Sequence, residues 1–314
     1  MALIRYLIQY RFRDMGELIR NDKKDPLECS RSLEGKTIVL SGATSGIGLE
    51  TARLFAEKGA SLICLNRNPD KSENLEKELK DKFNCDLQTI IVDFSSTAQV
   101  KNCAETLLKM EKPIDILIHN SGVFNTTKQW TEDNIESVFQ VNHLGSFLLN
   151  YMLKEKLKRE NRARIIYVNS EGHRFALAGV HLKDLNWRWH LYTGLKSYGA
   201  AKTAQLLTMQ KFKEFFSDCN VTINAMHPGN VKSDMGNNNG KLYRMMKKKL
   251  ILSSAKEPAI SAKALYYLAA SDKIEGFSGK FFNLTTEEKP APHARDYSAV
   301  EGVWKKSLEL CGLL

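Results

Sequence analysis

Short apolar runs alternate along the chain with longer segments in which apolar residues recur at helical spacing. The first run covers 37–40, and the others cover 61–65, 87–92, 114–119, 164–169, 221–226 and 279–283. Each run is β-branched or apolar and is bounded by glycine, proline or polar residues, which predicts a buried strand. The intervening segments predict helices over 49–58, 68–83, 98–110, 132–157, 197–216 and 258–270, and from about 297.

This alternation predicts an α/β fold in which helices cover both faces of a parallel sheet. The sequence contains no internal repeat and no sign of a second domain. We therefore predict a single doubly wound domain of Rossmann type over 35–285. An N-terminal amphipathic helix and a connector precede it over 1–34, and a C-terminal loop and helix follow over 286–314.

The turn after the first strand is rich in glycine, with the sequence G-A-T-S-G-I-G over 42–48. Such glycines allow a sharp turn, close approach of the backbone to a pyrophosphate, and tight packing of helix on strand. The phosphates would bind at the helix N-terminus, where free N–H groups and the helix dipole favour anions. The alternative is an ordinary glycine turn. The cofactor-binding candidates in this turn are Gly42, Thr44, Ser45, Gly46, Ile47 and Gly48.

The end of the second strand predicts which dinucleotide binds. An acidic residue at this place usually holds the adenosine 2′-hydroxyl of NAD. Here the two positions are Asn66 and Arg67, so no carboxylate repels a 2′-phosphate and a guanidinium is available to bind one. We expect NADP(H) to be preferred over NAD(H). The alternative is that Arg67 is a solvated loop charge.

Polar residues cluster where the predicted strands end. Ligands of a parallel α/β sheet bind outside the carboxyl ends of its strands, so this clustering predicts a single active site. Asp93 follows the third strand, where it either caps the next helix or accepts a hydrogen bond from the adenine amino group. The other polar strand ends are at Ser41, Arg67, His119-Asn120, Asn169-Ser170 and His227.

A tyrosine and a lysine carry the predicted chemistry. Tyr198 and Lys202 are four residues apart near the start of a predicted helix, so both side chains share one face. A phenol has an ordinary pKa near 10, and we expect the neighbouring ammonium to lower the pKa of Tyr198. Tyr198 would then act as general acid and base. Ser170 would orient the substrate oxygen, and Asn142 could hold a water that passes protons to Lys202.

Composition and charge limit the alternatives. The chain has 314 residues, 43% of them hydrophobic, which is enough for one large α/β domain with a substantial core. The six cysteines are scattered, and neither they nor the seven histidines have metal-ligand spacing, so we expect reduced thiols, no metal and a cytoplasmic protein. The net charge of +10 suits an anionic cofactor or membrane surface, and no motif indicates nucleic-acid binding.

The N-terminal segment 1–20 needs a separate interpretation. Apolar residues lie near one helical face and are flanked by arginines at positions 5, 11, 13 and 20. No stretch of 18 uncharged apolar residues occurs, so we predict no membrane-spanning helix. The segment is either a basic amphipathic helix lying peripherally on a membrane, or a helix packed on the protein's own surface or on a partner subunit. A dimer is one option for the oligomeric state.

Taken together, these motifs resemble the short-chain dehydrogenase/reductase family over residues 35 to about 285. The resemblance implies a seven-stranded parallel sheet with strand order 3-2-1-4-5-6-7. It implies a catalytic tetrad of Asn142, Ser170, Tyr198 and Lys202, with Lys202 also binding the nicotinamide ribose. The matching signatures are the glycine turn, Asp93, Asn120-Ser121-Gly122, Asn142, Ser170, Tyr198-Gly199-Ala200-Ala201-Lys202 and Pro228-Gly229. It further implies cofactor-site roles for Asn120, Gly122, Pro228, Gly229, Val231 and Ser233, the last two at the carboxamide.

The chain departs from this family at several places. Ser41 and Ser233 each replace a usual threonine. His119-Asn-Ser-Gly replaces the usual Asn-Asn-Ala-Gly and keeps the second asparagine and the glycine. None of these changes removes a required function. The 28 residues from Ser170 to Tyr198 are about twice the common spacing. The additional segment, Val180 to Leu195, is similar to an insertion in the retinol dehydrogenase-like branch.

A substrate lid is expected over 234–255. This segment is rich in methionine, leucine and isoleucine and contains three lysines at 247–249. An apolar lid with a basic edge suits a bulky apolar carbonyl or alcohol, such as a retinoid, steroid or lipid aldehyde, and 241–252 is a second candidate for peripheral membrane contact. The alternative is a lid that packs on its own core.

The sequence therefore predicts an NADP(H)-dependent oxidoreductase that transfers hydride between nicotinamide and a carbonyl or alcohol carbon. The alternative function is that of a cofactor-binding regulator or scaffold of the same fold with little catalysis.

Overall fold

The computed structural model describes residues 2–9, 20–21, 24–232, 235–237, 239–240 and 255–314. Its sheet has the strand order β3-β2-β1-β4-β5-β6-β7-β8. The strands are β1 Thr37–Ser41, β2 Ser61–Asn66, β3 Leu87–Ile91, β4 Ile116–His119, β5 Arg164–Val168, β6 Thr222–His227, β7 Phe281–Asn283 and β8 Thr286–Glu288.

The first seven strands are parallel, which confirms the predicted order 3-2-1-4-5-6-7. The eighth strand is antiparallel to β7 and was not predicted. Its sequence, Thr-Glu-Glu, contains no apolar residue, because β8 is the outermost strand and only part of it is covered.

The described helices flank the sheet on both faces. They are α1 Ala2–Gln9, α2 Gly46–Glu57, α3 Pro69–Phe83, α4 Thr97–Leu108, α5 Ser137–Phe139, α6 Gly145–Glu160, α7 Gly194–Phe215, α8 Ala259–Ala270 and α9 Tyr297–Leu310. One apolar cluster joins α2, α3 and α8 to the sheet, and another joins α4, α6, α7 and α9 to its opposite face. None of the helices in these described ranges is both long and apolar enough to cross a membrane.

The helix predicted over 132–157 begins later than expected and is interrupted. The Glu136 carboxylate accepts hydrogen bonds from the backbone N–H groups of Val138 (3.0 Å) and Phe139 (2.9 Å), so α5 begins at Ser137. A π-helical turn, Gln140–Leu144, then connects α5 to α6. Single π-turns inside helices often mark functional sites, and this one carries Asn142.

The terminal segments pack against the main domain. Val300, Val303 and Leu308 of α9 belong to the same apolar cluster as α6 and α7. At the other end, Tyr6 of α1 is buried, and its hydroxyl donates a 2.8 Å hydrogen bond to Asp296. The N-terminal helix α1 therefore contacts the residue that immediately precedes the C-terminal helix α9.

Candidate functional site

The glycine turn is shaped by two close contacts. Gly42 and Gly46 have positive φ angles of 71° and 53°, which glycine adopts without strain. A Cβ atom at Gly48 would lie 2.0 Å from the Gly42 carbonyl oxygen, whereas one at Gly46 would meet nothing within 4 Å. Gly48 thus permits α2 to pack on the turn, and Gly46 leaves an open face at the start of α2.

A polar hub joins this turn to the end of β4. The Ser41 hydroxyl oxygen accepts hydrogen bonds of 2.9 Å from the backbone N–H groups of Asn120 and Ser121. The Asn120 amide nitrogen donates to the carbonyl oxygens of Ser41 (3.1 Å) and Gly42 (3.0 Å). A serine in place of threonine retains the hydroxyl that this hub requires.

A cleft of about 460 Å³ opens along the carboxyl ends of β1, β2 and β4. It contains the open face of Gly46 and the amino end of α2, which suits an extended anionic ligand. The residues Gly42, Thr44, Ser45, Gly46, Ile47, Arg67, Asp93, Asn120 and Gly122, all predicted to bind cofactor, line it.

The outer end of the cleft contains the residues expected to select the dinucleotide. The Asn66 side chain is buried, and its oxygen accepts a 2.8 Å hydrogen bond from the Ala43 backbone, so Asn66 supports the glycine turn. The Arg67 side chain is 68% exposed, and its Nη1 lies 3.8 Å from Asp93 Oδ2. Arg67 and Lys71 are both exposed cations in the lining at this end of the cleft, and Arg67 is the one that directly follows β2.

Of the two roles considered for Asp93, helix capping is wrong. The Asp93 carboxylate accepts hydrogen bonds from the backbone and hydroxyl of Ser95, at 2.9 and 2.8 Å. Ser96 caps α4, because its hydroxyl accepts from the Gln99 backbone N–H.

Three predicted residues follow β6 and lie outside the lining of the cleft. Gly229 has a φ of 77°, and the Pro228 carbonyl oxygen accepts a 2.5 Å hydrogen bond from Ser261. Val231 is buried and forms a parallel bridge with Lys256. Ser233, also predicted to contact the carboxamide, lies outside the described residues. So do positions 234, 238 and 241–254 of the lid predicted over 234–255, which include the candidate membrane contact 241–252.

Tyr198 and Ser170 come together beside the cleft. Burial raises the pKa of Tyr198 to about 12, while a hydrogen bond with Ser170 acts in the opposite direction. The predicted lowering of this pKa by Lys202 is thus wrong for the protein alone. A Cβ atom at Gly172 would lie 2.7 Å from Tyr198 Cε1, so the tyrosine ring packs directly on this glycine. Phe124 contacts its other side edge to face, at 5.8 Å between ring centroids.

Lys202 is buried beneath the end of β5. Its Nζ donates a 2.8 Å hydrogen bond to the Val168 carbonyl oxygen and lies 3.4 Å from Gln205 Oε1. The ammonium is 5.7 Å from the centroid of the Tyr198 ring. Burial lowers the pKa of Lys202 to about 7, because removal from water disfavours the charged form.

Asn142 fastens the loop after β4 to the π-helical turn. Its side-chain oxygen accepts from the Val123 backbone N–H at 3.0 Å, and its amide nitrogen donates to the carbonyl oxygens of Val123 (2.8 Å) and Val138 (2.9 Å). A Cβ atom at Gly122 would lie 2.6 Å from Asn142 Oδ1. Asn142 is therefore one wall of the site, adjacent to the cleft residues Gly122 and Val123.

The first part of the predicted lid is attached across the cleft. Met235 and Gly236 line the cleft opposite the glycine turn. Asn239 is buried and bonds to the backbones of Thr126 (2.7 Å) and Phe124 (2.8 Å). The residues before 241 thus contact the loop that carries Phe124, next to Tyr198.

The sequence did not reveal the buried residues that hydrogen-bond to the predicted site residues or to their neighbours. Glu136 is buried with a raised pKa, and its carboxylate accepts a 2.8 Å hydrogen bond from Ser197, the neighbour of Tyr198. Gln205 follows Lys202 by one helical turn, and this spacing is the only feature of the sequence that could have identified Gln205 as a partner of Lys202. Within the described ranges, no three His, Cys, Asp or Glu side chains cluster as a metal site would require.

Known proteins share sequence with most of the chain. The short chain dehydrogenase family profile matches residues 36–181. The chain is 32% identical to retinol dehydrogenase 13 of Homo sapiens over 289 residues, covering 90% of this chain and 86% of the relative. It is 33% identical to retinol dehydrogenase 12 of Mus musculus over 282 residues, covering 90% and 88%.

Solved structures share the fold. An uncharacterised protein from Mycobacterium paratuberculosis superposes with a TM-score of 0.69 at 24% identity, covering 90% of this chain and 95% of that one. A short chain dehydrogenase from Shigella flexneri complexed with NADP superposes with a TM-score of 0.62 at 19% identity, covering 81% and 99%. On its sequence relatives, the chain belongs to the short-chain dehydrogenase/reductase family of NAD(P)(H)-using oxidoreductases and is related to the retinol dehydrogenases.

Proposed function

We propose that this protein is an NADP(H)-dependent oxidoreductase that reduces the carbonyl group of a bulky apolar substrate, with Asn142, Ser170, Tyr198 and Lys202 as its catalytic tetrad. The observation that carries the proposal is the position of Tyr198. A Cβ atom at Gly172 would lie 2.7 Å from Tyr198 Cε1 and 3.2 Å from Ser170 Oγ, so both side chains meet over this glycine, and the Tyr198 ring also packs against Phe124, which lines the cleft. This arrangement brings a proton donor and a hydrogen-bonding hydroxyl to one place.

The residues along the cleft fit a nicotinamide dinucleotide. The open backbone at Gly46 and the amino end of α2 suit the pyrophosphate, and Thr44 and Ser45 add hydroxyl groups. The bound coenzyme would supply the hydride, which no protein side chain can provide.

Proton transfer to the substrate falls to Tyr198. With a pKa of about 12, the phenol keeps its proton at neutral pH and can act as the general acid when a carbonyl is reduced. The Ser170 hydroxyl would donate a hydrogen bond to the carbonyl oxygen. That bond would hold the carbonyl oxygen near the Tyr198 hydroxyl. Lys202, whose ammonium is 5.7 Å from the centroid of the Tyr198 ring, would in its charged form bind the ribose hydroxyls and stabilise the phenolate left when Tyr198 gives up its proton.

The preference for NADP(H) rests on Arg67. No carboxylate follows β2 directly, and the exposed Arg67 guanidinium stands at the outer end of the cleft. A guanidinium binds phosphate oxygens with charge-assisted hydrogen bonds.

The apolar substrate class rests on the surroundings of Tyr198. Phe124, Val123, Val141 and Met235 line the part of the cleft nearest the tetrad, and retinol dehydrogenases are among the relatives. We also propose that the lid segment 234–255 closes over this part.

The test is NADPH oxidation by purified protein with a panel of retinoid, steroid, quinone and lipid aldehyde or ketone substrates. Wild type and the matched control Tyr297→Phe, whose tyrosine is 64% exposed on α9, should turn over at similar rates. Tyr198→Phe should lose at least about a hundredfold in kcat, as expected for loss of a general acid, while NADPH still binds. Full turnover by Tyr198→Phe would reject the assigned role. Absence of turnover by wild type, with NADPH bound, would favour the regulator or scaffold.

A further inference from the structure

A buried amide network lies directly beneath the tetrad. Gln205 Oε1 is 3.4 Å from Lys202 Nζ and accepts a 3.0 Å hydrogen bond from Asn169 Nδ2. Gln205 Nε2 donates to the Ser146 hydroxyl at 3.2 Å. Gln205 and Asn169 are each 2% exposed and Ser146 is 5% exposed, so water does not compete for these bonds. Asn169 donates to the Gln205 oxygen, and the Ser146 hydroxyl, which donates its own proton to the His143 carbonyl oxygen, accepts from the Gln205 nitrogen. These two partners fix the oxygen as the amide atom that faces Lys202.

Asn169 connects this network to the serine of the tetrad. Its side-chain oxygen accepts a 2.9 Å hydrogen bond from the Ser170 backbone N–H. Its amide nitrogen donates to the Lys202 carbonyl oxygen at 3.0 Å as well as to Gln205. One pair of side chains therefore holds the backbone of Ser170 and both ends of Lys202.

We propose that Gln205 is a positioning residue whose side-chain oxygen, oriented by Asn169 and Ser146, holds the Lys202 ammonium under the carboxyl end of β5. The inference rests on the proposed function of Lys202, and the side-chain hydrogen bonds of Gln205 go to Asn169, Lys202 and Ser146, none of which lines the cleft. Lys202 has only one closer acceptor, the Val168 carbonyl oxygen at 2.8 Å, among its described contacts. An ammonium buried from water needs such acceptors to remain charged.

This role predicts how the protonation of Lys202 responds to substitution. Gln205→Glu places an opposite charge beside the ammonium and should raise the pKa of Lys202 by about one pH unit or more. Gln205→Leu removes the acceptor and should lower it by a similar amount. Because Lys202 titrates at about 7, the alkaline limb of kcat should move to higher pH in the first variant and to lower pH in the second.

The neighbouring titratable groups do not mimic this result. His119 on β4 and His143 in the π-helical turn face Lys202, and burial lowers their pKa values to about 4 and about 3. Tyr198 titrates near 12, and His173 is held well below its ordinary pKa. Glu136 accepts a hydrogen bond from Ser197, and His227 accepts one from the Glu171 backbone N–H. Both groups are unchanged in the two variants, so neither can shift the alkaline limb of the kcat–pH profile in opposite directions.

The experiment is an NMR titration of ¹³C-labelled lysine Cε atoms in the full-length protein, with Lys202 assigned from Lys202→Met. This readout does not depend on turnover, so failure of the proposed function and failure of this inference are separable. The kcat–pH profile is recorded beside it. Gln210→Leu is the matched control, because Gln210 lies on the same helix and bonds to the Gly279 carbonyl oxygen instead.

The expected result is opposite displacement of the Lys202 titration in Gln205→Glu and Gln205→Leu, no displacement in Gln210→Leu, and about tenfold lower kcat in Gln205→Leu. An unchanged Lys202 titration in both variants, with only a lower melting temperature, would overturn the proposal and leave Gln205 as a packing residue. If Gln205→Leu does not fold, the Lys202 titration is measured in Ser146→Ala, which removes the hydroxyl that accepts the hydrogen bond of the Gln205 amide nitrogen. A displaced titration would support the proposal, and an unchanged one would reject it.

Discussion

At the scale of single residues, Tyr198 and Lys202 share one face of α7 but lie in different surroundings. The spacing in the sequence predicts their common face, and it does not predict where each polar end goes. The Lys202 ammonium bonds to the Val168 carbonyl oxygen at the end of β5, while the Tyr198 ring packs against Phe124, which lines the cleft. Burial consequently moves the two pKa values apart, raising that of Tyr198 to about 12 and lowering that of Lys202 to about 7.

Arg67 offers a prediction at the same scale. Arg67→Leu should raise the Kd of NADPH about tenfold or more, because it removes a charge-assisted contact with the 2′-phosphate, and should leave the Kd of NADH nearly unchanged. Both constants can be measured by fluorescence titration.

The matched control for this prediction is Arg159→Leu, which removes an exposed arginine on α6, away from the cleft. Equal affinity of the wild type for NADPH and NADH, or equal loss of both in Arg67→Leu, would contradict a role for Arg67 in selecting the coenzyme.

At the scale of elements, the strands and helices that carry strong periodicity were predictable, and the irregular elements were not. The interior strands β1, β2, β4, β5 and β6 are almost entirely buried, which imposes continuous apolar runs on their sequences, whereas β3 at the edge of the sheet is only partly buried. The π-helical turn at Gln140–Leu144 keeps an apolar helical pattern, so nothing in the sequence distinguishes it from α-helix. The strand β8 is short and polar, and its pairing with β7 depends on the turn at Leu284, whose φ is 52°.

The predicted site residues were found mainly at element boundaries. The supporting residues Gln205, Asn169 and Ser146 come from three different elements, and only the folded chain brings them together. Sequence reasoning could name Asn169 as a strand end, but it could not assign it a partner. The residues at the strand ends that face the site were therefore predictable, whereas the buried hydrogen-bond partners beneath them were not.

Packing of α2 on the glycine turn gives a prediction at this scale. Gly48→Ala should destabilise the protein by about 3 kcal/mol or more, because the new methyl group would collide with the Gly42 carbonyl oxygen and Asn120 Nδ2. The same shift should weaken NADPH binding. Chemical denaturation and NADPH titration measure the two effects.

The control is Glu57→Ala at the exposed end of the same helix, which should change neither quantity by more than about 0.5 kcal/mol. Wild-type stability and NADPH affinity in Gly48→Ala would show that the turn and α2 do not need this close approach.

At the scale of the whole molecule, the two ends of the chain pack together. Tyr6 of α1 bonds to Asp296 and contacts the His293 ring edge to face at 5.8 Å, which favours a helix packed on the protein's own surface. Ile8 of the same helix is 78% exposed, and Arg5 is exposed beside it. Ile8 thus remains uncovered on the outer side of α1, whereas Arg5 forms an ion pair with Asp296 at 3.5 Å.

We propose that this outer side of α1 makes the peripheral membrane contact. Ile8→Ser should reduce flotation of the full-length protein with phosphatidylcholine–phosphatidylserine vesicles at least about fivefold, because burying an isoleucine contributes roughly 2 kcal/mol. The control Leu27→Ser changes a residue that is 53% exposed outside the helix and should float like wild type. If all three proteins float equally, or none floats, α1 is not a membrane contact.

The most direct measurement of the central claim is a crystal structure with NADPH and an unreactive carbonyl ligand bound. The Tyr198 hydroxyl and the Ser170 hydroxyl should both lie within about 3.2 Å of the carbonyl oxygen, as a proton donor and an orienting group must. A Tyr198 hydroxyl directed away from that oxygen, or a ligand bound with no contact to either residue, would contradict the assignment of this protein as a carbonyl reductase acting through Tyr198.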